Sequence, residues 1–541
     1  MSQPTAPPPA GAVAEGGRRT LVRANLAVAA GTLLSRLTGL VRFALLLKLL
    51  SGALADSYNV ANNIPNVVYE LVLGGVLTAT LIPIFTEQAE QDDVEGTSAV
   101  VSIAMIATLA LTILATIAAP LLIRGYLLRT PPAGVDAGQL RSVTTVFALW
   151  FLPQILFYGV TFLATALLNA RGRFFAAAWA PVVNNLVVSA ALVVLPHVVS
   201  APRTLAGASA SSALRLWLAM PTTAGIVAMA ATVLVPLRRA GITVHFLPNR
   251  KHPAVVRVLK LSRWTLGYVA ANQVALWAMT TLAVPGSGGA SAYLVAFLLF
   301  QMPMGLLAIS VTTTFGPELA RARIAKDRAR FNDRISLGLR LLALVLLPAG
   351  ALIVALARPL VSVVLERGYY KSAPAAITSG TLAAFSVGLF AVAAYLFVLR
   401  GFYAHDDTRA AFVLNVFENA VNIVVGLVLV RHFGVPGLAW SFTVAYVLAG
   451  ALAVRVLTWK VPGLALRDLL AGIARLAVAG AVTAEVAWLA SRAVGSDTGG
   501  GAWPRLVVGA VAGLATYAAS ITWLAAPEVT AVRAIIDRRR R

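Results

Sequence analysis

The sequence predicts an all-α polytopic membrane protein with about fourteen transmembrane helices. They form two six-helix lobes in parallel pseudo-repeat, followed by two further helices. Three observations carry this. Of the 541 residues, 59% are hydrophobic and only 12% charged, with a mean hydropathy of +0.83 that no ordinary soluble domain reaches. Apolar stretches of roughly 20 to 28 residues, the length a hydrocarbon core demands, recur along the whole chain. Finally, short motifs of one half return in the other. The expected divisions are a tail at 1–20, an N-lobe at 21–240, a C-lobe at 241–460, two added spans at 461–530, and a basic tail at 531–541.

Residues 1–20 are rich in Pro, Ala and Gly, too polar to pack, and read as a disordered cytoplasmic tail. No small-residue cleavage site closes the apolar run that follows, so this is not a secretory signal pattern. That run, GTLLSRLTGLVRFALLLKLL at 31–50, carries Arg36, Arg42 and Lys48. A cation at the centre of a membrane helix costs roughly 3 kcal/mol, so it faces a partner or a wet cavity. Steps of six residues place the three about 120° apart on a straight helix. Lys48 can snorkel to the headgroups, and Gly39 permits a bend that brings both arginines to one cavity. Either they form a pocket for an anionic ligand or they lie near an interface, held by lipid phosphates.

The expected spans are 24–50, 58–85, 99–123, 143–168, 176–199, 214–237, 256–284, 291–316, 337–365, 376–402, 410–431, 435–458, 468–491 and 504–526. With the N-terminus inside, the cytoplasmic loops hold roughly 24 Lys and Arg against about 9 outside. This places the chain in a bacterial cytoplasmic membrane with both termini cytoplasmic. The acidic loop TEQAEQDDVEG at 86–96 dissents, but acids count little in that rule. The net charge of +23 sits in short loops, a pattern suited to anionic lipid rather than nucleic acid. Arg outnumbers Lys 38 to 6, the usage of a GC-rich bacterial genome.

LTATLIP (77–83) and VTTTFGP (311–317) match at an offset of 234, as do Asn185 and Asn419. Ser35-Arg36-x-Thr38 matches Ser262-Arg263-x-Thr265 at a smaller offset, which marks Arg263 as a partner from the opposite lobe. Six spans per half make the repeat parallel, with a binding site between the lobes. Asn415, Glu418, Asn419 and Asn422 share one face of span 11. For Asn415 and Asn422, helix-to-helix hydrogen bonding is the preferred reading. Carboxylates in lipid are costly unless protonated, paired or wet, which singles out Glu418, Glu70 and Glu485. Asp56 at the outer end of span 1 also reads as a solvated turn residue. Asn272, Gln273 and Gln301 add uncharged polarity to the second lobe, and Pro65, Pro83, Pro303 and Pro317 break spans 2 and 8.

Without cysteine there is no disulfide, thiol catalysis or Cys-ligated metal. No phosphate loop, H-E-x-x-H motif or extended Asp-rich motif appears, so an enzyme is unsupported. No cofactor is expected beyond a Na+ or H+ coupling ion.

SRLTGLVR, ADSYNVANNIPN and LTATLIPIFTE, then FQMPMGLLAISVTTTFGPELARA at 300–322 and RGFYAHDDTRAAF at 400–412, resemble the MviN/MurJ family of lipid II flippases. That family belongs to the superfamily of multidrug, oligosaccharidyl-lipid and polysaccharide exporters. The resemblance implies a cationic central cavity, a groove for a polyprenyl tail at the last two spans, and an undecaprenyl-diphosphate-linked peptidoglycan precursor as cargo. Membrane lipids and cell-wall synthesis proteins are the other candidate partners. It assigns substrate binding to Arg36, Arg42 and Asp56; Arg263, from the repeat, and Gln301 are further candidates. Apart from the resemblance, Glu70, Glu418 and Asn419 are candidates for ion coupling, or the acids merely neutralise an arginine. The chain departs from the family pattern at Tyr69, Glu70, Gly74, Leu298 and Gln301, where many members carry charges of a different pattern. A flippase for another polyprenyl-linked glycan and a drug or ion antiporter are the alternatives.

Overall fold

The structure, a computed structural model, describes residues 10–70 and 75–524, except for the side chains of 10–26, 75–80, 261–265 and a few single positions. Among the described residues all regular structure is helical. The first half comprises α1 (Ala10–Leu49), α2 (Gly52–Tyr69), α3 (Gly75–Glu90), α4 (Val94–Ile117), the short α5 (Ala119–Tyr126), α6 (Ala137–Phe151), α7 (Gln154–Ala170), α8 (Phe175–Val198), the short α9 (Leu205–Ala210) and α10 (Ser212–Arg239). The second comprises α11 (Pro253–Leu282), α12 (Gly289–Pro303), a π-helical turn (Met304–Ala308), α13 (Ile309–Ile324), α14 (Arg328–Leu365), α15 (Ser372–Val387), α16 (Leu389–Ala404), α17 (Thr408–Phe433) and α18 (Val435–Lys460). α19 (Leu466–Arg492) and α20 (Ala502–Leu524) follow, packed on each other and on α14. We call the face where α1 begins proximal and the face where it ends distal.

Among the described residues, ten helices are long and apolar enough to cross a membrane, or eleven if α15 and α16, bent by 45°, count as one span. The expected spans 58–85, 256–284 and 291–316 have no counterpart in that count. Helix α11 carries Asn272 and Gln273 mid-helix, 291–316 gives way to a π turn after Pro303, and 58–85 runs through residues outside the described ones. Residues 71–74, including Gly74, lie outside the described residues, as do 525–541 with the expected basic tail.

Two local expectations need correction. Helix α1, described from Ala10 onward, runs unbroken through Gly39. A Cβ there would meet Asn185 Nδ2 at 3.4 Å, so the glycine serves a close approach rather than a break. Pro65, Pro83 and Pro317 sit inside helices that continue past them. After Pro303, by contrast, α-structure yields to the π turn, consistent with the lost N–H and ring clash.

The offset of 234 recurs in three dimensions. Asp92 and Lys326 both take a left-handed backbone (φ 53° and 54°) just before a helix. The next residues cap it alike: Asp93 Oδ1 accepts from Gly96 N–H at 2.7 Å, and Asp327 Oδ1 from Arg330 N–H at 2.9 Å. Gly172 and Asp406 form a second equivalent pair (φ 71° and 57°). Asn185 Nδ2 donates to Thr38 Oγ1 at 3.2 Å, tying α8 to α1, while Asn419 Nδ2 donates to Asn272 Oδ1 at 3.0 Å, tying α17 to α11. This register puts Ala270 opposite Arg36, so the Ser-Arg-x-Thr match at Arg263 is displaced from the structural equivalence. The side chain of Arg263 itself lies outside the described residues. The halves meet where α2 packs on α12, and where α3 and α4 pack on α11. Leu114, Ile117, Val424 and Val511 are exposed around the outside, as lipid-facing positions require.

Candidate functional site

Within the second half, with Arg36 of the first half reaching into it, lies a cavity of about 780 Å³. Phe297, Phe300, Phe442 and Tyr446 give it an aromatic wall, backed by Phe385, whose ring lies 5.2–5.5 Å from those of the three phenylalanines. Its polar lining is Arg36, Tyr268, Gln301, Thr312, Arg400, Tyr403 and Thr408. No carboxylate lines it, and neither arginine has an ion pair among the described residues. Two cations in a partly apolar hollow have the chemistry to suit an anion attached to a hydrophobic body.

Arg36 reaches this cavity across the two halves. Its Nη1 donates to the Gln301 carbonyl at 2.8 Å, and its guanidinium lies over Gly305 in the π turn. A Cβ on Gly305 would come within 2.2 Å of Nη2. Position 305 is therefore part of the arginine's seat. Gly305→Ala is expected to push the guanidinium off the Gln301 carbonyl and weaken anion binding about tenfold, the size of one charge-assisted contact. Titration of a short-chain lipid diphosphate onto the purified variant checks this.

The other sequence candidates scatter. Arg42 does not line the cavity; its charge lies within electrostatic reach of the Tyr58 and Tyr158 hydroxyls in the first half. Lys48 is exposed at the end of α1. Glu70 is exposed at the end of α2, and Glu485 is exposed on α19. Gln301 contributes through its backbone oxygen.

Asp56 is neither a solvated turn residue nor open to a ligand in this conformation. It is fully buried in the second turn of α2. Oδ2 accepts from Gly286 N–H (2.9 Å) and Gly288 N–H (2.8 Å); Oδ1 accepts from Ser291 N–H (2.8 Å) and Ser291 Oγ (2.6 Å). The carboxylate of one half thus caps helix α12 of the other, where backbone N–H groups and the helix dipole favour an anion. Asn59 Nδ2 adds a bond to Ser291 Oγ at 2.9 Å, and Gly52 lets the chains approach: a Cβ there would sit 3.4 Å from Gly288 Cα. The distal end of the cleft is shut.

On α17, Asn415 and Asn419 both donate to Asn272 Oδ1 at 3.0 Å, and Asn422 accepts from Ser441 Oγ at 2.8 Å. These asparagines stitch helices together, Asn419 included. Glu418 is only 1% exposed, and its Oε2 has no hydrogen-bond partner among the described residues. Tyr268, Tyr395 and Tyr446 lie within electrostatic reach, and the Tyr395 hydroxyl and Asn415 Oδ1 likewise have no partner among the described residues. Two of these tyrosines also line the cavity, so the acid sits directly behind its wall.

Sequence reasoning missed Arg400, Tyr403 and Gly305. Arg400 and Tyr403 lie in the stretch RGFYAHDDTRAAF, whose arginine at the end of a long apolar run was a usable signal. Gly305 had none, because its role depends on a side chain from the other half.

The sequence model of the family described as "Lipid II flippase MurJ" matches residues 48–504. A relative named "Probable lipid II flippase MurJ" from Rhizobium meliloti (strain 1021) is 28% identical over 481 residues, 87% of each chain. Another, "Lipid II flippase MurJ" from Burkholderia cenocepacia, is 27% identical over 437 residues, 80% of this chain and 83% of its own. Among solved structures, a lipid II flippase MurJ in an inward closed conformation superposes with a TM-score of 0.72 at 20% identity, covering 92% of this chain and 98% of that one. An inward-facing MATE family multidrug resistance transporter of the MOP superfamily gives 0.64 at 13% identity, covering 80% and 95%. The fold is therefore a transporter fold, and with the family model spanning most of its length the chain belongs to the MurJ lipid II flippase family.

Proposed function

We propose that this protein moves lipid II, an undecaprenyl-diphosphate-linked peptidoglycan precursor, from the cytoplasmic to the outer leaflet by alternating access. The observation that carries the reading is the cavity itself: Arg36 and Arg400 without carboxylate partners, beside an aromatic wall, sealed distally by Asp56. A diphosphate crossing a bilayer needs cations and water, whereas its polyprenyl tail can remain in lipid or in a groove beside α19 and α20. The proximal face is then cytoplasmic, with both termini on that side. An anion moving outward gains about 2.3 kcal/mol per charge per 100 mV when the cytoplasm is negative, so membrane potential favours export. Arginine suits the task because it stays charged on burial and offers several donors in a rigid fork. Glu418, with Asn415 Oδ1 beside it, is the group to which we assign a coupling proton or Na+, since an unpaired carboxylate at that depth calls for a cation.

The test is flipping of labelled lipid II in proteoliposomes that hold the purified protein, with and without an imposed potential. Potential-dependent movement is expected. A second cargo reading, another polyprenyl-linked glycan, is favoured by Leu298 and Gln301, which stand where the family pattern has an arginine and an acid. The same vesicles loaded with an undecaprenyl-diphosphate carrying a different glycan separate the two readings.

Orientation is checked independently. Reporter tags at the N-terminus, in 321–334 and at the C-terminus should read cytoplasmic, and one at 285–289 external. A cytoplasmic signal at 285–289 refutes this orientation.

A further inference from the structure

A second cavity, of about 400 Å³, opens on the proximal face where the α13–α14 turn meets the ends of α16 and α18. No residue lines both it and the Arg36 cavity. Arg323, Lys326, Arg328 and Lys460 surround it, and Asp327 is the one carboxylate in its lining. Asp327 Oδ1 already caps α14, and Lys460 is shared with Asp407 and the face of Phe402. His405 stands edge-on to Phe331 with ring centroids 4.9 Å apart. Its Nδ1 lies 2.9 Å from the Gly401 carbonyl, which only accepts, so Nδ1 carries the proton and Nε2 remains as the second polar atom of the ring.

The repeat shows what is unusual here. In the first half the corresponding turn is acidic: Glu87, Asp92 and Val94 occupy the positions of Arg321, Lys326 and Arg328. That region is also roofed by the connector 240–252. His245 N–H and Leu247 N–H donate to Ser98 Oγ and Ser102 Oγ at 3.1 and 2.8 Å, while Ile242, Val244 and Leu247 pack on the core beneath. In the second half the connector is only 461–465. It makes the equivalent attachment, Asn332 Nδ2 donating to the Pro462 carbonyl at 3.1 Å, one offset of 234 from Ser98. It then enters α19 without crossing the cleft. One fold position is thus acidic and covered in one half, and basic and open in the other.

We propose that this open cleft is a binding site for a phosphate group, a phosphomonoester or phosphodiester, distinct from the transport cavity. Two arginines and two lysines line one hollow, and phosphate oxygens accept from both guanidinium and ammonium donors. At a bilayer surface that group is supplied either by an anionic lipid headgroup or by a soluble phosphate compound.

The test uses the full chain in phosphatidylcholine nanodiscs. One arm adds a small fraction of fluorescent phosphatidylglycerol and measures its enrichment at the protein; the other titrates inorganic phosphate by calorimetry. Each is run on the native protein, on the triple variant R323Q/K326Q/R328Q, and on a charge-matched control, R238Q/R239Q/R250Q, on the same face. Thermal melting confirms that all three are folded. Saturable binding that falls about tenfold or more in the first variant and holds in the control supports the site. Binding in the lipid arm assigns a headgroup, and in the phosphate arm a soluble ligand. Equal loss in both variants, or no saturable binding in either arm, overturns the proposal.

Discussion

Replacing Arg36 with alanine is expected to weaken binding of the lipid diphosphate about ten- to a hundredfold, with flipping falling in step. The guanidinium is aimed into the cavity by its bond to the Gln301 carbonyl and has no carboxylate partner among the described residues. Each charge-assisted contact contributes roughly 1.5–3 kcal/mol. Arg36→Lys should rescue only part, because an ammonium cannot hold the carbonyl and fork a phosphate at once. Arg42→Ala, which removes a cation that does not line the cavity, should cost less. The measurement is lipid II binding and flipping in proteoliposomes at matched protein levels. Near-normal flipping by Arg36→Ala would end the cationic-cavity account, and a larger loss at Arg42 would mean that the cavity reshapes around both.

Asp56→Asn is expected to open the distal end. The amide keeps one acceptor, but its Nδ2 would face the N–H groups of Gly286 and Gly288, which also only donate. Losing two charge-assisted bonds costs roughly 3 kcal/mol or more. A shift of that size moves a two-state equilibrium more than a hundredfold. Spin labels at Ser51→Cys and Ser287→Cys report the distance directly, since the chain has no cysteine of its own. The distribution should lengthen in Asp56→Asn and stay short with native Asp56. An unchanged distance would mean that the bonds contribute to folding but do not hold the junction shut.

Much of this architecture was legible in the sequence because it is written locally. Apolar length marks the spans, and the offset of 234 is visible in Asn185 and Asn419 before any contact is known. The asparagines of α17 were read as helix-to-helix bonds, and Asn415 and Asn422 make them. What stayed hidden depends on partners far along the chain. Asp56 stood out as an acid, but its role needs Gly286, Gly288 and Ser291, some 230 residues on. Gly39 signalled a hinge, whereas the neighbouring Asn185 uses it as space. The short Ser-Arg-x-Thr match suggested Arg263, where the hydrogen-bond register points elsewhere. The fourteen spans read from the sequence exceed the ten or eleven long apolar helices among the described residues, because α11 carries Asn272 and Gln273 mid-helix and α12 gives way to a π turn after Pro303.

The contact that seals the distal end joins a fully buried carboxylate to backbone dipoles of the other half. Mobile ions cannot enter to screen it, so raising the ionic strength should leave it nearly unaltered. The two halves are also linked on the proximal face by Glu87 and Arg257, 2.7 Å apart, with side chains 46% and 56% exposed. Screening falls fully on that pair. Added salt should therefore act on one side of the molecule alone, loosening the proximal seam while the distal one holds. Ionic strength becomes a handle that biases the resting conformation without any substitution.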